Sequence, residues 1–181
     1  MFNLYLSKNY MICIFEISSS EIPDFNRLIH ISSDQSFGDL HETIQNTCNF
    51  DHSQMASFFL TDDSWRKKMK EFALLDSGTT SPKQISMRTA KLNEHLSEPG
   101  QKLIYVFDYF NERFLNVELK EKLMRTDLKE PFVAYEKGNA PAQFLMNDYD
   151  SVDVLVQDSD DSYKSFGELE DYCEIYGEMD A

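Results

Sequence analysis

Residues 102–110, "KLIYVFDYF", constrain the fold more than any other stretch. Leu103, Tyr105 and Phe107 alternate with Ile104 and Val106, so a strand here is apolar on both faces. Such a strand is covered on both sides, which places it centrally in a sheet. Asn111 and Glu112 turn the chain, and "RFLNVELKE", 113–121, returns. There Leu115, Val117 and Leu119 point one way and Asn116 and Glu118 the other, so one side of the returning strand meets water.

The N-terminal part supplies partners for that sheet. "YMICIFEI", 10–17, is an apolar run rich in β-formers, and "FNRLIHIS", 25–32, reads as a second strand. The short Pro-containing link between them predicts an antiparallel hairpin. Ser36 then caps a helix, and Asp39 stands three residues on, close to a capping box and at the positive helix end. Phe37, Leu40, Ile44 and Cys48 define its buried stripe, with His41 at the margin.

"QMASFFLTD", 54–62, is a third strand. In 63–76, Ser64 caps a short helix carrying Trp65 and Met69, or "EFALL" is another strand. Residues 77–88 read as a polar loop, and Thr89 as the cap of a short helix through Leu92 and Leu96. "PFVAYEKG", 131–138, adds an edge strand.

Charge divides the chain unevenly. The net charge is −15. Residues 147–181 hold twelve acids and one base, Lys164, a balance of −11. The first 146 residues carry the other 20 acids and 16 bases, a balance of −4. The expected organisation is a domain over 1–146, with 1–10 an optional extension before Met11, and an acidic segment over 147–181. Within the acidic segment, 147–163 reads as a mobile linker. Ser165, Phe166, Glu168, Leu169, Cys173 and Tyr176 then have the spacing of a capped amphipathic helix near 166–176 that docks on the domain. Acidity without a basic stripe argues against direct nucleic-acid binding. No apolar run approaches the roughly 18 residues of a membrane span. Cys13, Cys48 and Cys173 are far apart and form no CxxC pair, which predicts free thiols in a reducing cytoplasm.

The order strand, strand, "FGDLHETIQ", then "NFDHSQMASFFL", resembles the plasmid pRiA4b open-reading-frame-three-like family over roughly residues 10–145. "LIYVFDYFNERFLNVEL" sits at the family's Tyr-Asp-Phe-Gly-Asp hairpin, and "EKGNAPAQF" at its Gly-rich, Pro-containing segment. Phe50 stands where the family has Trp, Gln54 and Ala56 where it has strand His residues, and Phe110 and Asn111 where it has Gly-Asp. His41, Asp51 and Asp108 remain of its polar positions. The resemblance implies a fold and a bacterial protein, in some members a passenger of insertion elements. It implies no established activity.

Chemistry-bearing motifs are sparse. His41 is the best single candidate, beside a plainer reading as a hydrogen-bonded structural His. Asp51 and His52 lie near the helix end, where turn chemistry explains them as well. No nucleophile elbow, HExxH, phosphate loop or dinucleotide fingerprint occurs. "DSDDSYKSFGEL", 158–169, fails as a calcium loop because Tyr163 replaces the Gly and Leu169 the bidentate Glu. No metal or cofactor is therefore expected. Trp65, Arg66, Lys67 and Lys68 form a contact site for an acidic partner, or a solvated face with one packed Trp on which the acidic segment could lie.

The expected fold is α+β: a mixed, mostly antiparallel sheet, one main helix packed across a face, and a β-grasp-like hairpin–helix start. The expected function is a non-enzymatic protein-interaction module in the cytoplasm, with an unidentified protein partner. The alternative is a hydrolase-like or metal-assisted enzyme with a degenerate polar site at His41, Asp51 and Asp108.

Overall fold

The computed structural model describes residues 11–66, 68–74, 84–124 and 128–145. The chain divides into two units, 1–145 and 146–181, and all described residues belong to the first. The extension 1–10, Lys67, the linker 147–163, the calcium-like stretch, the helix near 166–176 and Cys173 lie outside the described residues.

The chain opens with β1 (Met11–Ser18), β2 (Asn26–Ser32) and α1 (Phe37–Cys48), the expected hairpin and helix. Next come β3 (Ser57–Thr61), β4 (Lys68–Ala73), β5 (Gln84–Ser86) and the single turn α2 (Leu92–His95). The central hairpin is β6 (Lys102–Asp108) and β7 (Arg113–Met124), and β8 (Phe132–Lys137) closes the series. The strands form one sheet in the order β5-β4-β3-β6-β7-β1-β2-β8. Every pairing is antiparallel except β4 with β5, so the sheet is mixed and mostly antiparallel.

One face of the sheet carries the main core. Phe15 and Ile17 of β1, Tyr105 and Phe107 of β6, and Leu115, Val117 and Leu119 of β7 pack there with Phe37, Leu40, Ile44 and Cys48 of α1. Ile104 and Val106 are buried on the opposite side, as alternation in β6 requires. Phe37 stacks on Phe72 at 3.9 Å between ring centroids and meets Phe58 at 5.7 Å, which fixes α1 over β3 and β4.

The start of α1 is satisfied twice. Ser36 Oγ accepts from the Asp39 amide at 3.2 Å, and Asp39 Oδ2 accepts from the Ser36 amide at 2.7 Å. The Phe37 and Gly38 amides donate to the carbonyls of Ala90 and Met87 at 3.0 and 2.7 Å. These are two of the amides a helix start leaves without an internal partner. Asn49 ends the helix in the left-handed conformation, φ 55°, which Asn tolerates better than most residues.

Three local expectations change. Ser64 caps no helix: the Asp62 carboxylate accepts from the Ser64 and Arg66 amides and turns the chain into β4, the strand alternative. The loop reading of 77–88 gives way at Gln84–Ser86, which pairs in parallel with Glu71–Ala73. Thr89 is not a helix cap. Its amide donates to Ser86 in a turn, the neighbouring carbonyls serve α1, and α2 starts after Lys91 without a side-chain cap.

Candidate functional site

His41 projects from α1 into the core and is 3% exposed. Its Nδ1 lies 2.9 Å from the Tyr105 hydroxyl. Burial, with His52 and Arg88 adding positive charge nearby, lowers its pKa to about 4, so the ring is neutral at pH 7.

Asp51 sits on the surface in the turn after α1. Its carboxylate accepts from the Ser53 amide and hydroxyl, each at 2.9 Å, and these bonds hold its pKa below the ordinary value. The backbone of Asp51 is clamped to a distant residue. Its amide donates to Gln143 Oε1 at 2.5 Å, and Gln143 Nε2 donates to its carbonyl at 3.2 Å.

Asp108 ends β6 and builds the turn to β7. Oδ2 accepts from Asn111 Nδ2 at 2.7 Å, and Oδ1 from the Phe110 and Asn111 amides at 3.1 Å each. The Asn111 side chain is the main reason its carboxyl titrates below the ordinary range. This turn cuts the predicted strand 102–110 at Asp108 and moves Tyr109 and Phe110 out of it. Arg113, 8% exposed, lies over the Phe107 ring and donates through Nε and Nη2 to Glu21. Its Nη1 donates to the Gln143 carbonyl at 3.3 Å and stands 3.8 Å from Asp108.

Asp51 and Asp108 thus reach one region through Gln143 and Arg113, whereas His41 is spent on Tyr105 inside the core. Among the described residues, no group of three or more His, Cys, Asp or Glu is placed to hold a metal ion.

Asp108 and Gln143 line a cleft of about 560 Å³ at this end of the sheet. Its wall is apolar: Met55, Phe107, Tyr109, Phe110, Phe144 and Leu145. Five of these, all but Phe107, are among the nine large apolar side chains exposed in the described residues, and Phe110 is 100% exposed. That concentration separates this surface from scattered exposed apolar residues, which mean little. Tyr109 is held in place by its hydroxyl, which donates to Ser57 Oγ, while Ser57 donates to Glu71 at 3.1 Å. Sequence reasoning missed the cleft. The one signal was the apolar pair Tyr109–Phe110 beside a turn, with Phe110 and Asn111 standing where the family resemblance puts Gly-Asp.

Trp65, with φ 64°, lines a separate cleft of about 310 Å³ with Arg66, Lys68 and Tyr109. Lys68 Nζ sits 4.4 Å from the Phe59 ring centre, and Lys102, which the sequence reading did not include, sits 5.3 Å from that of Trp65.

The sequence profile described as Plasmid pRiA4b ORF-3-like protein matches residues 15–169. The chain belongs to that family. A crystal structure of a protein of unknown function from Methanosarcina mazei Go1 is similar in fold, with a TM-score of 0.58 and 19% identity. The similarity covers 73% of this chain and 72% of that one, and at this identity it speaks to fold alone. No curated protein matches the sequence. No helix among the described residues is long and apolar enough to cross a membrane.

Proposed function

We propose that this member of the family is a non-enzymatic protein-interaction module whose contact surface is the apolar cleft at Met55, Phe110, Phe144 and Leu145. One observation carries the reading: a fully exposed Phe110 beside four further exposed apolar side chains on one cleft. Exposed apolar surface of this kind is stabilised by association, and aromatic anchors supply most of the binding free energy at interfaces. The polar clamps support it. Gln143 and Arg113 pin the segment carrying Phe144 and Leu145, so the wall is formed before any partner arrives. The residues that would carry chemistry instead make internal bonds, His41 to Tyr105, Asp51 to Ser53 and Asp108 to Asn111.

We place this function in the cytoplasm. Cys13 and Cys48 are buried free thiols, and burial pushes their pKa up to about 11 and about 12. Such thiols are inert and suit a reducing compartment. Passenger status on mobile DNA belongs to the same reading.

The test uses a photo-reactive phenylalanine analogue at Phe110 of the full chain in its native cell. A cross-link to a second protein is expected, and none from the same analogue at exposed Lys91. Equal cross-linking at both positions, or none at Phe110, overturns the proposal.

A further inference from the structure

We infer that the Trp65 cleft is a second binding site, one that takes a small ring-bearing molecule with a single anionic group at one end. Among the described residues, it shares only Tyr109 with the apolar cleft, so it stands whatever docks at Phe110. The lining sets the apolar body of that ligand. β6 presents Ile104 and Val106 on the side of the sheet away from α1, and both line the cleft. Trp65, Tyr109 and Phe114 add ring surface, which suits a flat apolar body. The volume of about 310 Å³ fits a small molecule rather than a folded partner.

The placement of the lining charges sets the rest. Thr61 pairs with Lys102 and Ser57 with Val106, so the β3–β4 and β6–β7 turns lie at opposite ends of β6. Their backbones are separated by at least the span from Lys102 to Val106, about 13 Å. Arg66 belongs to the first turn with Trp65, and Lys68 begins β4 beside Thr61. Glu112 belongs to the second turn. Among the described residues neither Arg66 nor Lys68 has a carboxylate partner, whereas Arg113, Lys120 and Lys137 each have one. Lys102, over the Trp65 ring, adds a third cation at the same end. A guanidinium beside ammonium groups receives a carboxylate or a phosphate. Glu112 repels a second anion at the far end, so the ligand is charged at one end alone.

The cationic end is formed before any ligand arrives. Asp62 Oδ1 accepts from the Ser64 amide and hydroxyl at 3.1 and 2.7 Å and from the Arg66 amide at 3.2 Å. The Trp65 amide donates to the Asp62 carbonyl at 3.1 Å. These bonds hold Trp65 at φ 64°, a conformation that bulky residues rarely adopt and that recurs at ligand sites.

Trp65 is the chain's only tryptophan, so its indole N–H gives a single NMR peak that reports this cleft. The full chain is titrated with phenylacetate, phenyl phosphate, benzyl alcohol, benzylamine and para-phenylenediacetate. At least one of the two monoanions should shift the peak saturably and bind about tenfold more tightly than benzyl alcohol, with benzylamine weakest. The tighter of the two identifies the anionic group as carboxylate or phosphate. Para-phenylenediacetate, with an anion at each end, should bind less tightly than phenylacetate, and Glu112→Gln should remove that difference. Arg66→Gln with Lys68→Gln should reduce the monoanions to the affinity of benzyl alcohol. All three substituted side chains are exposed, so circular dichroism should be unchanged. Phe110→Ser should leave every titration as it is.

Benzyl alcohol binding as tightly as the monoanions, or monoanion binding unchanged in the Arg66–Lys68 variant, overturns the inference. Loss of binding in Phe110→Ser would place the ligand in the apolar cleft and overturn it as well. So would the absence of a saturable shift from either monoanion, and a shift from polyglutamate in that case would mark Arg66 and Lys68 as a contact for an acidic protein.

Discussion

His41 shows how a residue that suggests chemistry becomes structural once its surroundings are known. A catalytic His needs a pKa near the working pH and a proton to move. His41 is neutral, buried and bonded to Tyr105, itself fully buried. Its folded pKa of about 4 lies below the ordinary value of 6.5. The unfolded chain therefore binds the proton first as pH falls. Its contribution to stability is complete above about pH 6.5 and is lost progressively down to about pH 4. Between pH 7 and pH 5 the loss amounts to about 2 kcal/mol. His41→Gln, which still offers a polar atom to the Tyr105 hydroxyl, should cost about 1 kcal/mol at pH 7. It should also remove that pH-dependent loss. Urea unfolding of both proteins at pH 7 and pH 5 checks this, and parallel losses in the two would refute the assignment.

At the scale of elements, α1 depends on its buried stripe and β8 on one glycine. Ile44 is fully buried between the helix and the sheet. Ile44→Asp puts an unpaired carboxylate into that space and should destabilise by at least about 4 kcal/mol, enough to leave much of the protein unfolded at 37 °C. A melting temperature within a few degrees of wild type would show the stripe to be misassigned. Gly138 ends β8 with φ 68°, and an added Cβ would lie 2.6 Å from the Asp24 carbonyl oxygen. Its own carbonyl accepts from buried Arg27 at 3.0 Å, and this ties β8 to β2. Gly138→Ala should cost about 2 kcal/mol through the left-handed backbone and the clash. Thermal denaturation would show the loss, with faster amide exchange in β2 and β8 than in the β6–β7 hairpin.

Across the whole molecule, Arg113 joins parts of the chain that are far apart in sequence. It bonds Glu21 in the link between β1 and β2, stands beside Asp108 at the end of β6, and holds the Gln143 carbonyl. Arg113→Ala removes all three and leaves Glu21 without its ion partner. Glu21 is about a third exposed, so the expected cost is about 2 kcal/mol rather than that of a fully buried pair. Release of Gln143 should also speed exchange of the Asp51 amide, which donates to the Gln143 side chain. A stability loss with Asp51 protection unchanged would mean that Arg113 does not position the cleft wall.

The sequence by itself determined the elements with strong local signals. Alternation wrote β1, β2, β6 and β7, helical spacing and a capping box wrote α1, and short links paired β1 with β2 and β6 with β7. These signals are local because a strand's period and a helix cap are satisfied within a few residues. Tertiary structure alone decided that β1 pairs with β7, β3 with β6 and β2 with β8, because an alternating strand fits any partner that covers its apolar face. It also decided that Gln84–Ser86 is a strand and that the chain at Met87 and Ala90 serves the amides of α1, bonds that a polar loop sequence does not announce. Of the candidate site, the sequence marked Asp51 and Asp108, whose residue types are visible anywhere. The cleft was not legible, because it forms only where Met55, Phe110 and Leu145, from three distant stretches, meet at one end of the sheet. Exposure of an apolar side chain is a property of what fails to cover it, and no single stretch of sequence records that.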